Sequence, residues 1–484
     1  MERPSRRKGG GGGKKGLVIG GIAAAAVILL GGGTVFALTS LSGGGTQPHE
    51  VLPASAVAYA RLDLDPAAGQ KVALFQIAQK FTVSKDTFKG DDMHKALFDT
   101  FKGLGAGGDI DYAKDIQPWL GDRVGVGVLP PAAGKKEPGI VVAVQVKDEE
   151  QAKAGLNKLM GEDKPGLSFR EDYALITEDQ ASADNYAKAG DSLADNTDFS
   201  SDFDSLGEPG ILSFWTNVGK LSEFSGDLMP SGAAAAQLKS TRMALALRFD
   251  SAYAELAGVV SGSQDMGESK PITLGNLPAT TAGAVSLSGA GEIVTKQWKE
   301  LEKSLGQTPG TQQFTQLLDE AKTKYGLQLP GDLATLMGEN LTVAVDSQGL
   351  GGDQINVGVR AVTDPAKAKA VVDKVLNGMS SGGQAPPLAR VEGEGTYTVA
   401  TNDAYAKKLS EEGGLGDSDS FKTAVPDADS ATFGAFVDLN KIESMYTANL
   451  QGENKANAEV LRAVGLSGKA SGNEGSFSLR VLFD

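Results

Sequence analysis

An α+β fold, internally duplicated and placed behind one N-terminal transmembrane helix, is what these 484 residues predict. Three observations lead there. One uncharged apolar run follows a basic head, strand-like runs are joined by connections too short for parallel pairing, and the same order of patterns occurs twice.

Residues 1–16 form the head, with Arg3, Arg6, Arg7, Lys8, Lys14 and Lys15 opposed by Glu2 alone. Leu17 to Leu38 is apolar and uncharged, and its 22 residues suffice, at about 1.5 Å each, for a hydrocarbon layer about 30 Å thick. The basic flank predicts that the head stays cytoplasmic while everything beyond is exported. Val35 and Ala37 offer small residues ahead of a signal-peptidase cut, but the run exceeds the usual 7 to 15 residues of a signal-peptide core, which favours an uncleaved anchor. Residues 39–50 read as a flexible linker.

The exported part predicts two copies, 51–265 and 276–484. Leu52-Pro53-Ala54-Ser55 returns as Leu277-Pro278-Ala279-Thr280, and Trp119-Leu120-Gly121 as Leu336-Met337-Gly338. Val146 to Lys158 matches Val362 to Lys374. There Ala152, Gly155, Leu156, Leu159 and Met160 form the stripe of a one-sided helix, and Ala368, Val371, Val372, Val375 and Leu376 repeat it 216 residues later. Tyr173 to Thr177 corresponds to Tyr397 to Thr401, and Phe214 to Leu221 to Ala435 to Ile442. The alternation of Met243, Leu245, Leu247 and Phe249 predicts a closing strand, matched by Phe477, Leu479, Val481 and Phe483 at the terminus. Pro130 to Gly134 joins the strands Asp122 to Leu129 and Gly139 to Lys147, so these neighbours must be antiparallel. Each copy therefore predicts a largely antiparallel sheet covered by helices. Ser261 to Asn276, rich in Gly, Ser and Pro, reads as the seam.

Charge and composition narrow the function. The head is net positive, so of the overall −15 the rest of the chain holds −20, a surface that repels nucleic acid. With no cysteine, disulfides, thiolate metal sites and a cysteine nucleophile are all excluded.

At these landmarks, and at Ser192-Leu193-Ala194-Asp195-Asn196 leading to Phe199, the chain resembles a family of actinobacterial membrane-anchored proteins defined as a domain of unknown function. The resemblance implies a tethered envelope protein and supplies no catalytic residues.

The motifs that suggest chemistry each meet a structural alternative. Gly378-Met379-Ser380-Ser381-Gly382 has the spacing of a nucleophile elbow, but a helix precedes it where the elbow needs a strand. A general base would have to be His94, since the other histidine, His49, lies in the linker. Gly103-Leu104-Gly105-Ala106-Gly107-Gly108 satisfies the dinucleotide spacing but closes a helix instead of opening one. Asp63 and Asp65 could hold a divalent ion or serve as half of an acid/base pair. The alternative is a polar strand face and a turn cap before Pro66. The cluster Asp191, Asp195, Asp198, Asp202 and Asp204 invites a calcium reading, yet Leu206 occupies a ligand position and Ser213 replaces the bidentate Glu. Asp195 and Asp198 fit helix caps better.

No catalytic, cofactor-binding or metal-binding residue is therefore assigned, and no cofactor is expected. The expected function is a non-catalytic, membrane-tethered module that binds an envelope ligand or protein partner. The alternative is a carboxylate-dependent cell-wall hydrolase.

Overall fold

The computed structural model describes residues 45–82, 94–95, 110–160, 165–224, 238–263, 270–305, 312–350, 355–380 and 387–484, without the side chains of 299–305, 312–315 and 380. The expected head, the anchor at 17–38, most of the linker, the Gly103 to Gly108 motif, and Ser381 with Gly382 lie outside the described residues. Among those described, no helix is long and apolar enough to cross a membrane. The chain divides into two compact units, the first ending at Ser251 and the second taking residues 80–82, 238 and everything from Ala252 onward.

The first unit carries helices α1 (Pro48–Val51), α2 (Ala68–Lys80), α3 (Glu149–Met160), α4 (Gln180–Lys188), α5 (Thr197–Leu206) and α6 (Val218–Ser222). Its strands are β1 (Ala58–Asp63), β2 (Leu120–Leu129), β3 (Gly139–Val146), β4 (Gly166–Arg170), β5 (Tyr173–Thr177), β6 (Leu212–Asn217) and β7 (Arg242–Asp250). They form an antiparallel sheet in the order β4-β5-β3-β2-β1-β6-β7.

The short connection between β2 and β3 gives the antiparallel pair the sequence requires. Val126 faces a core formed with Val142, Trp119 and the α3 stripe, while Gly125 and Gly127 leave the other face bare for α1. A side chain at Gly125 would collide with Pro48. Residues 48–51, at the end of the expected linker, are thus one turn of helix, started by Pro48 and by Glu50 accepting from Gln47 N at 2.5 Å. In α3 the stripe read from spacing is the buried one, with Ala152, Gly155, Leu156 and Met160 all inside. Gly155 is needed because Trp119 crosses the helix there, its Nε1 donating to Asp115 O at 2.5 Å.

The second unit begins with β8 (Tyr253–Ser261) and continues through β9 (Thr281–Ser288), β10 (Asn340–Asp346), β11 (Val357–Val362), β12 (Ala389–Gly393), β13 (Thr396–Ala400), β14 (Phe433–Asp438), β15 (Leu461–Ser471) and β16 (Glu474–Phe483). Its helices are α7 (Ala290–Leu305), α8 (Gln312–Thr323), α9 (Gly331–Met337), α10 (Pro365–Ser380), α11 (Asp403–Ser410), α12 (Asp419–Ala424), α13 (Leu439–Thr447) and α14 (Gly452–Glu459). The sheet is antiparallel, in the order β12-β13-β11-β10-β9-β14-β15-β16-β8. The large antiparallel sheets and mixed helices make the chain α+β.

One expectation about the elements is corrected. Where a single closing strand was read at Met243 to Phe249 and again at Phe477 to Phe483, there are two strands in succession each time, β7 with β8 and β15 with β16. β8 (Tyr-Ala-Glu-Leu-Ala-Gly-Val-Val-Ser) and β15, rich in Gly and Ala, carry no clean polar alternation, so periodicity passed over them. Strand Phe477 to Phe483 pairs in register with β8, with Leu479 opposite Leu256.

Candidate functional site

Asp63 and Asp65 sit at the end of β1, a strand buried on both faces. Arg61, on the same face two residues earlier, donates to Asp63 Oδ2, and Arg123 Nε donates to the same oxygen at 3.2 Å. Arg123 is placed by register, directly opposite Asp63 on β2. Asp63 Oδ1 accepts from Asp65 N at 2.9 Å, which closes the turn, and Lys71 of α2 donates to Asp65 Oδ1. Arg61 Nη1 also reaches Gly210 O at 3.2 Å, while Gly210, at φ +65°, lies too close to Leu247 O for any side chain. The turn cap expected at these aspartates exists, but the exposed polar strand face does not: both carboxylates are buried ion-pair partners. Three cations surround two anions, so the group does not favour a divalent ion.

The second sheet buries a neutral polar group on β9 and β10. Ser288 stands opposite Asn340 as Asp63 stands opposite Arg123, and Ser286 stands opposite Thr342. Ser286 Oγ donates to Asn340 Oδ1 at 2.9 Å and lies 2.8 Å from Thr342 Oγ1. A buried carboxylate of the second unit, Asp346, accepts from Thr280 Oγ1 at 2.6 Å, Gln348 N at 2.8 Å and Lys408 Nζ at 3.0 Å.

The acidic cluster is divided among separate tasks. Asp195 accepts from Ser192 N at 2.8 Å in a capping box. Asp202 is buried and accepts from Trp215 Nε1 at 2.8 Å and from Arg242 through Nε at 2.8 Å and Nη2 at 3.2 Å. Asp198 pairs with Arg242 Nη1 at 3.3 Å, and Asn196, not an aspartate, caps α5. Among the described residues no group of three or more acids and histidines is placed to hold a metal.

The histidines serve different ends. His94 Nε2 lies 3.1 Å from Asp122 Oδ1 and holds that carboxyl below its usual range. His49, in α1, is packed among Tyr59, Phe199 and Phe203, and burial together with the Arg61 charge lowers its pKa to about 4. Burial also raises the Tyr59 hydroxyl. Gly378, Met379 and Ser380 belong to the last turn of α10, so these three residues continue a helix where an elbow needs a strand-to-helix turn.

Among the described residues, each unit has a cleft. One, of about 820 Å³, lies in the second unit among Gly289, Gly291, Gly338, Glu339, Thr363 and Asp364. The other, of about 580 Å³, lies in the first unit between the β2–β3 connection and α4. The Gly-rich rim of the larger is occupied by its own backbone bonds, such as Gly291 N to Gly338 O at 3.0 Å.

A feature that sequence reasoning missed is an inversion in the second sheet. On β9 and β10 the residues turned inward are small or polar: Ala284, Ser286, Ser288, Asn340, Thr342 and Ala344. The branched residues between them face out, with Val285 58 %, Leu287 38 % and Val343 40 % exposed. Val285 and Val343 are direct cross-strand neighbours, so the exposure is contiguous. In the first sheet the pair Ala60 and Val126 is buried. The sequence carries it as Ser and Thr alternating with Val and Leu.

A family model described as a protein of unknown function (DUF3352) matches residues 16–178, which reaches from the end of the basic head to just past β5. Neither the curated proteins nor the solved structures contain a match.

Proposed function

We propose that this is a single-pass, membrane-tethered envelope protein whose exported part binds an apolar ligand or partner without transforming it. The observation that carries the reading is the inverted face at Val285, Leu287 and Val343. Burying polar groups while branched apolar side chains face water runs against the hydrophobic effect, and contiguous exposed apolar surface on a folded protein marks an interaction site. The anchor and the export of the rest are inferred from the Leu17 to Leu38 run and its basic flank.

The exported part is further read as two copies of one repeat, 51–265 and 276–484. Support comes from the strand orders, β4-β5-β3-β2-β1-β6-β7 and β12-β13-β11-β10-β9-β14-β15, which are the same sequence of relative positions. Matching cross-strand pairs add to it, Asp63 with Arg123 against Ser288 with Asn340. On this reading one copy keeps a closed face and an ionic centre, and the other keeps a neutral centre and an open face.

The test is to incubate the exported part with envelope extract and, separately, with purified wall polymer. Recovery of a bound lipid or protein, with no soluble fragments released from the polymer, supports the binder. Fragment release that is lost on replacing one carboxylate, in a variant that still folds, establishes the hydrolase in its place.

A further inference from the structure

The chain enters the first unit at one end of its sheet. Tyr173 Oη, at the start of β5, donates to Thr46 O at 2.8 Å, and Thr46 Oγ1 donates to Glu171 Oε2 at 3.0 Å. From there residues 46–57 run along β2 toward its other end. Pro48 fills the space that Gly125 leaves, Leu52 packs over Gly127, and Val57 N donates to Val128 O at 2.8 Å. The side of the segment away from β2 is tied as well. Leu52 O accepts from Leu193 N at 2.7 Å, Asn196 Nδ2 donates to Ala54 O at 3.1 Å, and the rings of Tyr59, Phe199 and Phe203 enclose His49. Pro48, Val51, Leu52 and Pro53 are buried, and backbone held at this density is not free to swing.

We propose that residues 46–57 are a strap built into the first unit, and that this strap holds the end of the sheet bearing Tyr173 and Val146 toward the lipid headgroups of the membrane. The second half of the proposal rests on reading Leu17 to Leu38 as an anchor. Between Leu38 and Gly45 the chain reaches at most about 25 Å, at about 3.5 Å per residue. A connection free up to residue 50 would reach about 20 Å further and would not fix which end of the sheet lies nearer the bilayer. Val146 N donates to Asp172 O beside the point of entry, so the exposed Lys147 marks the near end. Ala133, exposed in the β2–β3 connection, lies beyond the far end, about 24 Å away along β3.

The chain has no cysteine, so Lys147→Cys and Ala133→Cys each introduce a single site for a fluorophore. The full chain carrying either label is reconstituted in phosphatidylcholine vesicles whose headgroups bear a short-range quencher. The label at 147 should be quenched at least about twice as strongly as the label at 133, and inserting about twelve Gly/Ser residues after Gly44 should erase most of that difference. Equal quenching without the insertion overturns the orientation. A difference that survives the insertion overturns it too, since the strap would not then be what orients the unit. Hydrogen exchange on the unmodified chain reads the strap apart from the membrane: the Leu52 and Leu193 amides, bonded to Pro48 O and Leu52 O, should be slowed by at least about a hundredfold. Exchange at the open-chain rate overturns the strap itself. Protected amides in a chain that does not stay with the vesicles overturn the anchor reading, and the orientation with it, while supporting the strap.

Discussion

Arg123 donates from Nε to Asp63 Oδ2 across 3.2 Å, both side chains 3 % exposed, from directly opposed positions on adjacent strands. A carboxylate so placed bridges two guanidinium groups and offsets part of their charge away from solvent. Asp63→Asn keeps the shape and removes the charge that Arg61 and Arg123 share. We expect a loss of about 3 to 5 kcal/mol in urea unfolding. Ser288→Ala, at the neutral counterpart, should cost about 1 kcal/mol. Equal losses at the two positions would contradict the ionic account.

His49 gives a pH dependence whose sign follows from its position. The unfolded chain takes up its proton near pH 6.5, the folded chain near pH 4. Between those values the unfolded state binds more protons, so stability is complete above about pH 6.5 and is lost as pH falls toward 4, by about 3 kcal/mol in all. Chemical denaturation of wild type and His49→Leu on either side of this window measures it. The drop should be smaller in His49→Leu by that amount, and an identical drop would place the titration elsewhere.

The division of the acidic cluster among caps and ion pairs predicts indifference to calcium. Asp202 is engaged by Trp215 and Arg242, so neither millimolar calcium nor a chelator should move the thermal midpoint by more than about 1 °C. A clear calcium-dependent rise would mean that these partners yield to an ion.

Export predicts a protease pattern. Protease added to intact cells or spheroplasts should digest the chain beyond Thr46 and spare the head. Complete protection of the C-terminal region would refute the orientation inferred from the basic flank.

The sequence disclosed what periodicity can carry. The Val-Gly alternation of β2 is legible as a strand, and the stripe of α3 as a helix with one buried face. The polar strand face expected at Asp63 is buried. Tyr-Ala-Arg-Leu-Asp alternates like a half-exposed strand, yet β1 is covered on both sides, and the cations that compensate Asp63 include Arg123, 60 residues away. No local pattern reports a partner at that separation. On β9 and β10 the alternation alone does not say which face meets water, because periodicity shows only that two faces differ.

The face at Val285 and Val343 is the centre of the account, and replacing both residues by Asp tests it most directly. Asp at exposed positions leaves the buried Ser286, Asn340 and Thr342 network untouched, so the exported part should fold as wild type does. Capture of the envelope ligand, measured as bound material per mole of folded protein, should fall by at least about tenfold, since a charge replaces each apolar contact. Undiminished capture by the folded Val285→Asp/Val343→Asp variant would show that the chain binds through another surface.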